Sequence, residues 1–357
     1  APKVDAKGRV TDWGPFDRGL GGLLDGSLFA ENPRAGVPVR TLYLPFSEGW
    51  PLDFKKHYSP GPNVPSAART AEDQMRHFAL ARPIGEAMSA EYQQAWMECV
   101  REFCAHARSK GWNRTLFECY LNNKPQYGYT LWTLDEPNVY RDWEALRLFA
   151  GMWKQAVGNP APYTAAWHDM FYRKGLNDRA ETAPVMLFRG DISRPQWQGS
   201  LMDGLMNFVY VGGGGFERFR TMRAHKLRMP AILYAYGSCS SYERSLLEPA
   251  AWCLQAFAHE CDGVLPWQSL GEGLKNPDPK DTGNALIVDT GSYGRAVASF
   301  RVHALRRGAQ DCELLRLLQL KTGWSRQALG RLVATRVPLV GIRKQRFVDE
   351  AASTRFE

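Results

Sequence analysis

The chain has 357 residues, 44% hydrophobic and 23% charged, and a formal net charge of +8. That balance belongs to a folded chain with a sizeable core and excludes a disordered or fibrous one. Lys and Arg are spread along it, with only a mildly basic patch at Arg343, Lys344 and Arg346, so a nucleic-acid stripe is not expected.

In chain order, short apolar or β-branched runs alternate with segments of helical period, the sequence form of a parallel sheet with helical crossovers. The first strand is expected near Arg9 to Trp13 and the second near Arg40 to Phe46. The stretches 14 to 39 and 47 to 70 are rich in Gly and Pro and read as long loops. Ser89 to Lys110 places Tyr92, Trp96, Val100, Phe103 and Ala107 three and four residues apart, and Gly111 stops it, which predicts a helix. Strands follow at Thr115 to Leu121 and Thr130 to Leu134. A helix is expected over Arg141 to Val157, ended by Gly158 and Pro160, and 159 to 183 reads as a loop. Further strands are expected at Val185 to Asp191, Phe208 to Gly212, Ile232 to Tyr236 and Gly263 to Trp267, with helices at Phe216 to Arg228, Ser245 to Glu260 and Tyr293 to Leu318. Gly212 to Gly215 read as a turn.

Eight such strands predict a TIM-type (β/α)8 barrel with long loops at the carboxyl ends of its strands. The expected divisions are an N-terminal segment over 1 to 39, the barrel over 40 to 320 and a C-terminal tail over 321 to 357. The seven Cys, at 99, 104, 119, 239, 253, 261 and 312, lack C-x-x-C spacing and read as buried thiols. The seven His form no H-E-x-x-H or H-x-x-x-H pattern, so no metal and no other cofactor is expected. The polar first residues and the lack of a long apolar run predict neither a signal peptide in this chain nor a membrane span.

In a barrel, functional residues follow the strands. Glu48 and Trp50 follow the second strand, Asn122, Asn123 and Lys124 the third, Asp135 and Glu136 the fourth, Asp191 and Arg194 the fifth, Tyr236 the seventh, and Trp267 and Gln268 the eighth. Trp132 lies within the fourth. Aromatic residues make up 12% of the chain and offer faces to sugar rings. Asp135 and Glu136 close the apolar run Leu131-Trp132-Thr133-Leu134, where a partly desolvated carboxyl would suit a general acid; capping the helix at 141 would explain them equally. No Glu closes the seventh strand, and this favours a route in which the substrate's own 2-acetamido oxygen attacks the anomeric carbon. Asp191 is the competing second carboxylate.

The motifs Leu134-Asp135-Glu136-Pro137, Asp191-Ile192-Ser193-Arg194-Pro195-Gln196-Trp197-Gln198, Gly263-Val264-Leu265-Pro266-Trp267-Gln268 and Leu305-Arg306-Arg307-Gly308-Ala309-Gln310-Asp311-Cys312-Glu313-Leu314-Leu315 resemble the glycoside-hydrolase-like proteins of the uncharacterised 4091 domain family. That group is similar to glycoside hydrolase family 123, the exo-acting β-N-acetylgalactosaminidases. The resemblance implies a barrel, substrate-assisted cleavage of a β-N-acetylhexosaminide, Glu136 as general acid/base, Asp135 polarising the acetamido group, and a secreted or periplasmic location. The alternatives are a two-carboxylate glycosidase using Glu136 with Asp191 on another, acidic polysaccharide, or a carbohydrate-binding barrel that cuts nothing. In every case the expected partner is an oligosaccharide or polysaccharide, and Cys312 stands where the resemblance leads one to expect Tyr.

Overall fold

The computed structural model describes residues 1–33, 36–44, 46–125, 130–137, 139–158, 185–191, 201–202, 205–206, 208–211, 232–237, 245–266, 269–271, 286–289 and 296–336. The chain divides into two compact units, Ala1–Val209 with Met222–Ala231, and Tyr210–Thr221 with Ile232–Glu357.

The first unit opens with an antiparallel pair, β1 (Lys3–Val4) and β2 (Val10–Asp12). The Asp5 carboxylate accepts the N–H groups of Lys7 and Arg9 and so closes the turn between them. Helix α1 (Gly14–Leu24) follows, with Pro in its first turn and Phe16 and Leu24 buried. It occupies part of the stretch expected to be a loop; Gly19, Gly21 and Gly22 hide its period. Strands β3 (Thr41–Tyr43), β4 (Leu116–Cys119) and β5 (Val185–Asp191) pair in parallel, with Leu42 opposite Phe117 and Glu118 opposite Leu187.

Between β3 and β4 lie the short helix α2 (Phe54–His57), capped by the Asp53 carboxylate, then α3 (Ala71–Phe78), capped by the Thr70 hydroxyl, and the short α4 (Ile84–Ala87). Helix α5 (Ala90–Ser109) starts at Ser89, whose hydroxyl accepts the Tyr92 N–H, and α6 (Tyr140–Val157) ends at Gly158, φ +82°. Their apolar faces meet β3 and β4 in an aromatic cluster centred on Phe46. That ring stands edge-on to Trp96, Phe103 and Trp153 with centroids 5.8 to 6.2 Å apart, and Phe103 in turn meets Phe117 at 5.2 Å.

β6 (Phe208–Val211) comes next in the chain. In the second unit β7 (Ile232–Gly237) and β8 (Gly263–Pro266) pair in parallel. β9 (Leu270–Gly271) is parallel and β11 (Ala296–Ala298) antiparallel to the central β10 (Ile287–Asp289). Helix α7 (Glu248–Ala258) packs on α8 (Phe300–Thr322) and α9 (Arg326–Arg336). A Cβ on Gly308 would lie 2.7 Å from the backbone of Ala250, so α7 and α8 touch there backbone to backbone.

The eight-stranded barrel is not what forms. No sheet among the described residues holds more than six strands and none closes. Two of the expected barrel strands account for the difference. The first belongs to the separate β1–β2 pair. Thr130 to Leu134 is buried but is no strand, because side chains take its backbone hydrogen bonds: Gln74 donates to the Leu131 carbonyl, Asn123 to the Trp132 carbonyl, and Asp142 accepts the Thr133 N–H. The helix expected from Tyr293 begins only at Phe300, after β11 and the Ser299 cap. The expected elements at 159 to 183, 212 to 215 and 216 to 228 lie outside the described residues.

Gly308→Ala should destabilise the second unit by about 1–3 kcal/mol despite alanine's better helix propensity, because its methyl must push α7 and α8 apart. Urea unfolding checks this, with Gly151→Ala, where a Cβ meets nothing within 4 Å, as the tolerated control.

Candidate active site around Asp135, Glu136 and Lys124

The ends of β3 and β4 and the segment 130 to 137 come together in the first unit. Lys124 leaves β4 five residues after Cys119 and turns its ammonium onto both carboxylates of the Asp-Glu pair. Nζ lies 3.0 Å from Asp135 Oδ2 and 2.9 Å from Glu136 Oε2. Those two oxygens are therefore no farther apart than the sum of the two distances. An extended backbone would have thrown the neighbours to opposite sides; outside a strand, they converge.

Neither carboxylate caps α6. Asp142 does so, with Oδ2 accepting the Val139 N–H at 3.2 Å and Oδ1 accepting the Thr133 N–H at 2.9 Å and a Gln74 amide hydrogen at 3.1 Å. The side chain of Glu136 is 49% exposed and that of Asp135 21%, so the apolar run before them does not desolvate Glu136 as the sequence suggested.

Glu48 is a desolvated carboxyl of this region, 4% exposed. Burial pushes it up from 4.5 to about 7, against its own N–H and that of Asn123, which both favour the ionised form. Its Oε1 accepts the Asn123 N–H at 3.0 Å, and its backbone carbonyl accepts the Tyr92 hydroxyl at 2.6 Å. Tyr92 and Cys119, both buried beside it, are pushed well up by burial, with the negative charge of Glu48 adding to the effect.

Asn123 is the joint between Glu48 and the carboxylate pair. Its N–H goes to Glu48, its carbonyl accepts the N–H groups of Leu134 at 3.0 Å and Asp135 at 3.4 Å, and its amide donates to Thr130 Oγ1 and the Trp132 carbonyl. Tyr120 adds a bond from its hydroxyl to the Asp135 carbonyl at 3.2 Å. Beneath lies a feature the sequence did not single out: a buried ion pair, Arg189 to Glu118 at 3.1 Å, with the guanidinium 3.8 Å from the Tyr120 ring centroid and 5.3 Å from that of Tyr43. The signal was present in a single Glu and a single Arg inside the apolar runs Leu116-Phe117-Glu118-Cys119 and Met186-Leu187-Phe188-Arg189.

The remaining expected site residues are placed as follows. Asn122 is exposed and Trp50 half-buried against Phe46, their centroids 5.0 Å apart. Trp132 is 1% exposed, packed between Tyr58 and Phe78. A groove of about 730 Å³ over α4, α5 and α6 is lined by Met97, Trp132, Arg141, Leu148 and Met152 and includes neither carboxylate. Asp191 ends β5, but its side chain, like Arg194, Trp267 and Gln268, lies outside the described residues. Tyr236 belongs to the second unit. Among the described residues no three of His, Cys, Asp and Glu come together to hold a metal ion, and no helix is long and apolar enough to cross a membrane.

No protein-family model matches the chain, and neither does any curated protein. The chemistry therefore has to be read from the residues themselves.

Because the folded carboxyl of Glu48 holds its proton to about pH 7 while the unfolded one releases it near 4.5, its contribution to stability is full below pH 4.5 and is lost as the pH rises through 7. The loss should approach about 3 kcal/mol. Glu48→Gln removes the titration. Urea midpoints at pH 5 and pH 8 should show the wild type losing stability relative to this variant; a constant difference would mean that Glu48 does not titrate in this range.

Proposed function

We propose that the chain is a glycoside hydrolase acting on a 2-acetamido sugar. The observation that carries the reading is the convergence of the Asp135 and Glu136 carboxylates on the Lys124 ammonium. It supports a pair acting on one point of a substrate, on the scale of the about 5 Å that separates the carboxyls of retaining glycosidases. In the proposed reaction the acetamido oxygen attacks the anomeric carbon, Asp135 accepts the acetamido N–H and so orients that group, and Glu136 gives its proton to the departing glycosidic oxygen. Water then opens the cyclic intermediate, with Glu136 taking a proton from it. Lys124 fixes both side chains before substrate arrives. The half-exposed position of Glu136 supports its role, since a proton donor that recharges each cycle needs access to water.

Aryl β-glycosides with and without the 2-acetamido group test this directly. Turnover is expected only on the acetamido series, falling about 10²–10⁴-fold in Glu136→Gln, with Asp135→Asn slowed on the same substrates. Equal rates on sugars lacking the acetamido group would overturn the assisted route, and sugar binding without turnover would assign the chain to carbohydrate recognition instead.

A further inference from the structure

Glu48 is a buried carboxyl that the proposed reaction leaves unused. Its position is built rather than incidental: one oxygen takes the Asn123 N–H, the carbonyl of that same residue holds the Asp135 N–H, and the next residue is Lys124. The ionisable groups facing it are Tyr43 on β3, Cys119 on β4 and Tyr92 on α5. None of these is a cation, so a charge that forms on Glu48 is stabilised chiefly by the two N–H groups. Beyond the Asn123 backbone stand Lys124, Asp135 and Glu136.

We propose that Glu48 is a positioning residue whose gain or loss of a proton, passed on through the position of the Asn123 backbone, sets how firmly Asp135 and the Lys124 bridge are held. As a neutral acid it accepts an ordinary hydrogen bond from Asn123. As a carboxylate it accepts a charge-assisted one, about twice as strong, which holds the Asn123 backbone, and with it the carbonyl that takes the Leu134 and Asp135 N–H groups, more firmly in place. Ionisation near neutral pH, the range into which burial moves this carboxyl, therefore tightens the carboxylate pair. The role in turnover rests on the glycosidase reading; the coupling does not.

The test uses the full chain with ¹⁵N in Asn and Asp, observed from pH 5.5 to 8.5. The amide signals of Asn123 and Asp135 should move with one shared midpoint, and that movement should vanish in Glu48→Gln, which keeps an acceptor for the Asn123 N–H but cannot ionise. In parallel, kcat on the aryl 2-acetamido glycoside should be equal in wild type and Glu48→Gln at pH 5.5 and about fivefold higher in wild type at pH 8.5, with KM little changed. Amides that do not titrate together, or that still do so in the variant, overturn the proposal, as does a pH–kcat profile that the substitution leaves unchanged. If the amides titrate as expected but the wild type turns over no acetamido glycoside, the glycosidase reading fails and the Glu48 coupling stands.

Discussion

A buried stretch of chain that joins no sheet must find another partner for every N–H and carbonyl it carries, and residues 130 to 134 pose that problem in the first unit. Gln74 from α3, Asp142 from α6, and Asn123 after β4 each reach into it, and they fix it from three directions. The solution also determines chemistry. A ladder would have alternated the side chains of Asp135 and Glu136 across two faces, whereas a segment pinned by side chains is free to turn both toward Lys124. The residue whose carbonyl satisfies Leu134 and Asp135 satisfies a buried carboxyl with its N–H. Structure and candidate chemistry therefore share one set of hydrogen bonds.

The layer beneath shows how charge is tolerated in such a place. Arg189 and Glu118 neutralise each other and the guanidinium lies on tyrosine faces, so their charges are compensated where they lie. Glu48 is handled differently, with N–H groups but, among the described residues, no cation in attendance, and burial holds its proton up to about pH 7. Phe46, two residues earlier, anchors this strand end in the aromatic cluster with Trp96, Phe103 and Trp153. The position of the Glu48 carboxyl thus depends on large apolar side chains that never touch the carboxylate pair.

What the sequence made legible was periodic. The helices at Ser89 and Tyr140 and the strands at 40, 115, 185, 208, 232 and 263 announce themselves through apolar spacing and through Ser, Gly and Pro at their ends. The count of eight strands failed where periodicity is silent. Thr130 to Leu134 has a strand's composition, but its fate was decided by Gln74, Asn123 and Asp142, polar residues 57 to 9 positions away along the chain, and no local pattern encodes such partners. Helix α1 escaped notice for the opposite reason, since its glycines weaken a propensity that the burial of Phe16 and Leu24 restores. At the site, Asp135 and Glu136 stood out as acids closing an apolar run. Glu48 was noticed as a polar residue after a strand, yet its burial comes from α5 and β4, which the local sequence around it does not contain.

The Lys124 bridge also bears on the sign of the field that a substrate would meet. The chain as a whole carries an excess of +8, which on its own would steer anionic polymers toward it. Within the bridge, two carboxylates share one ammonium, leaving one formal negative charge, and the neighbouring Glu118–Arg189 pair cancels itself. Ionised Glu48 would add a second. Counted over these described side chains, the charge beside Lys124 is therefore opposite in sign to that of the whole chain.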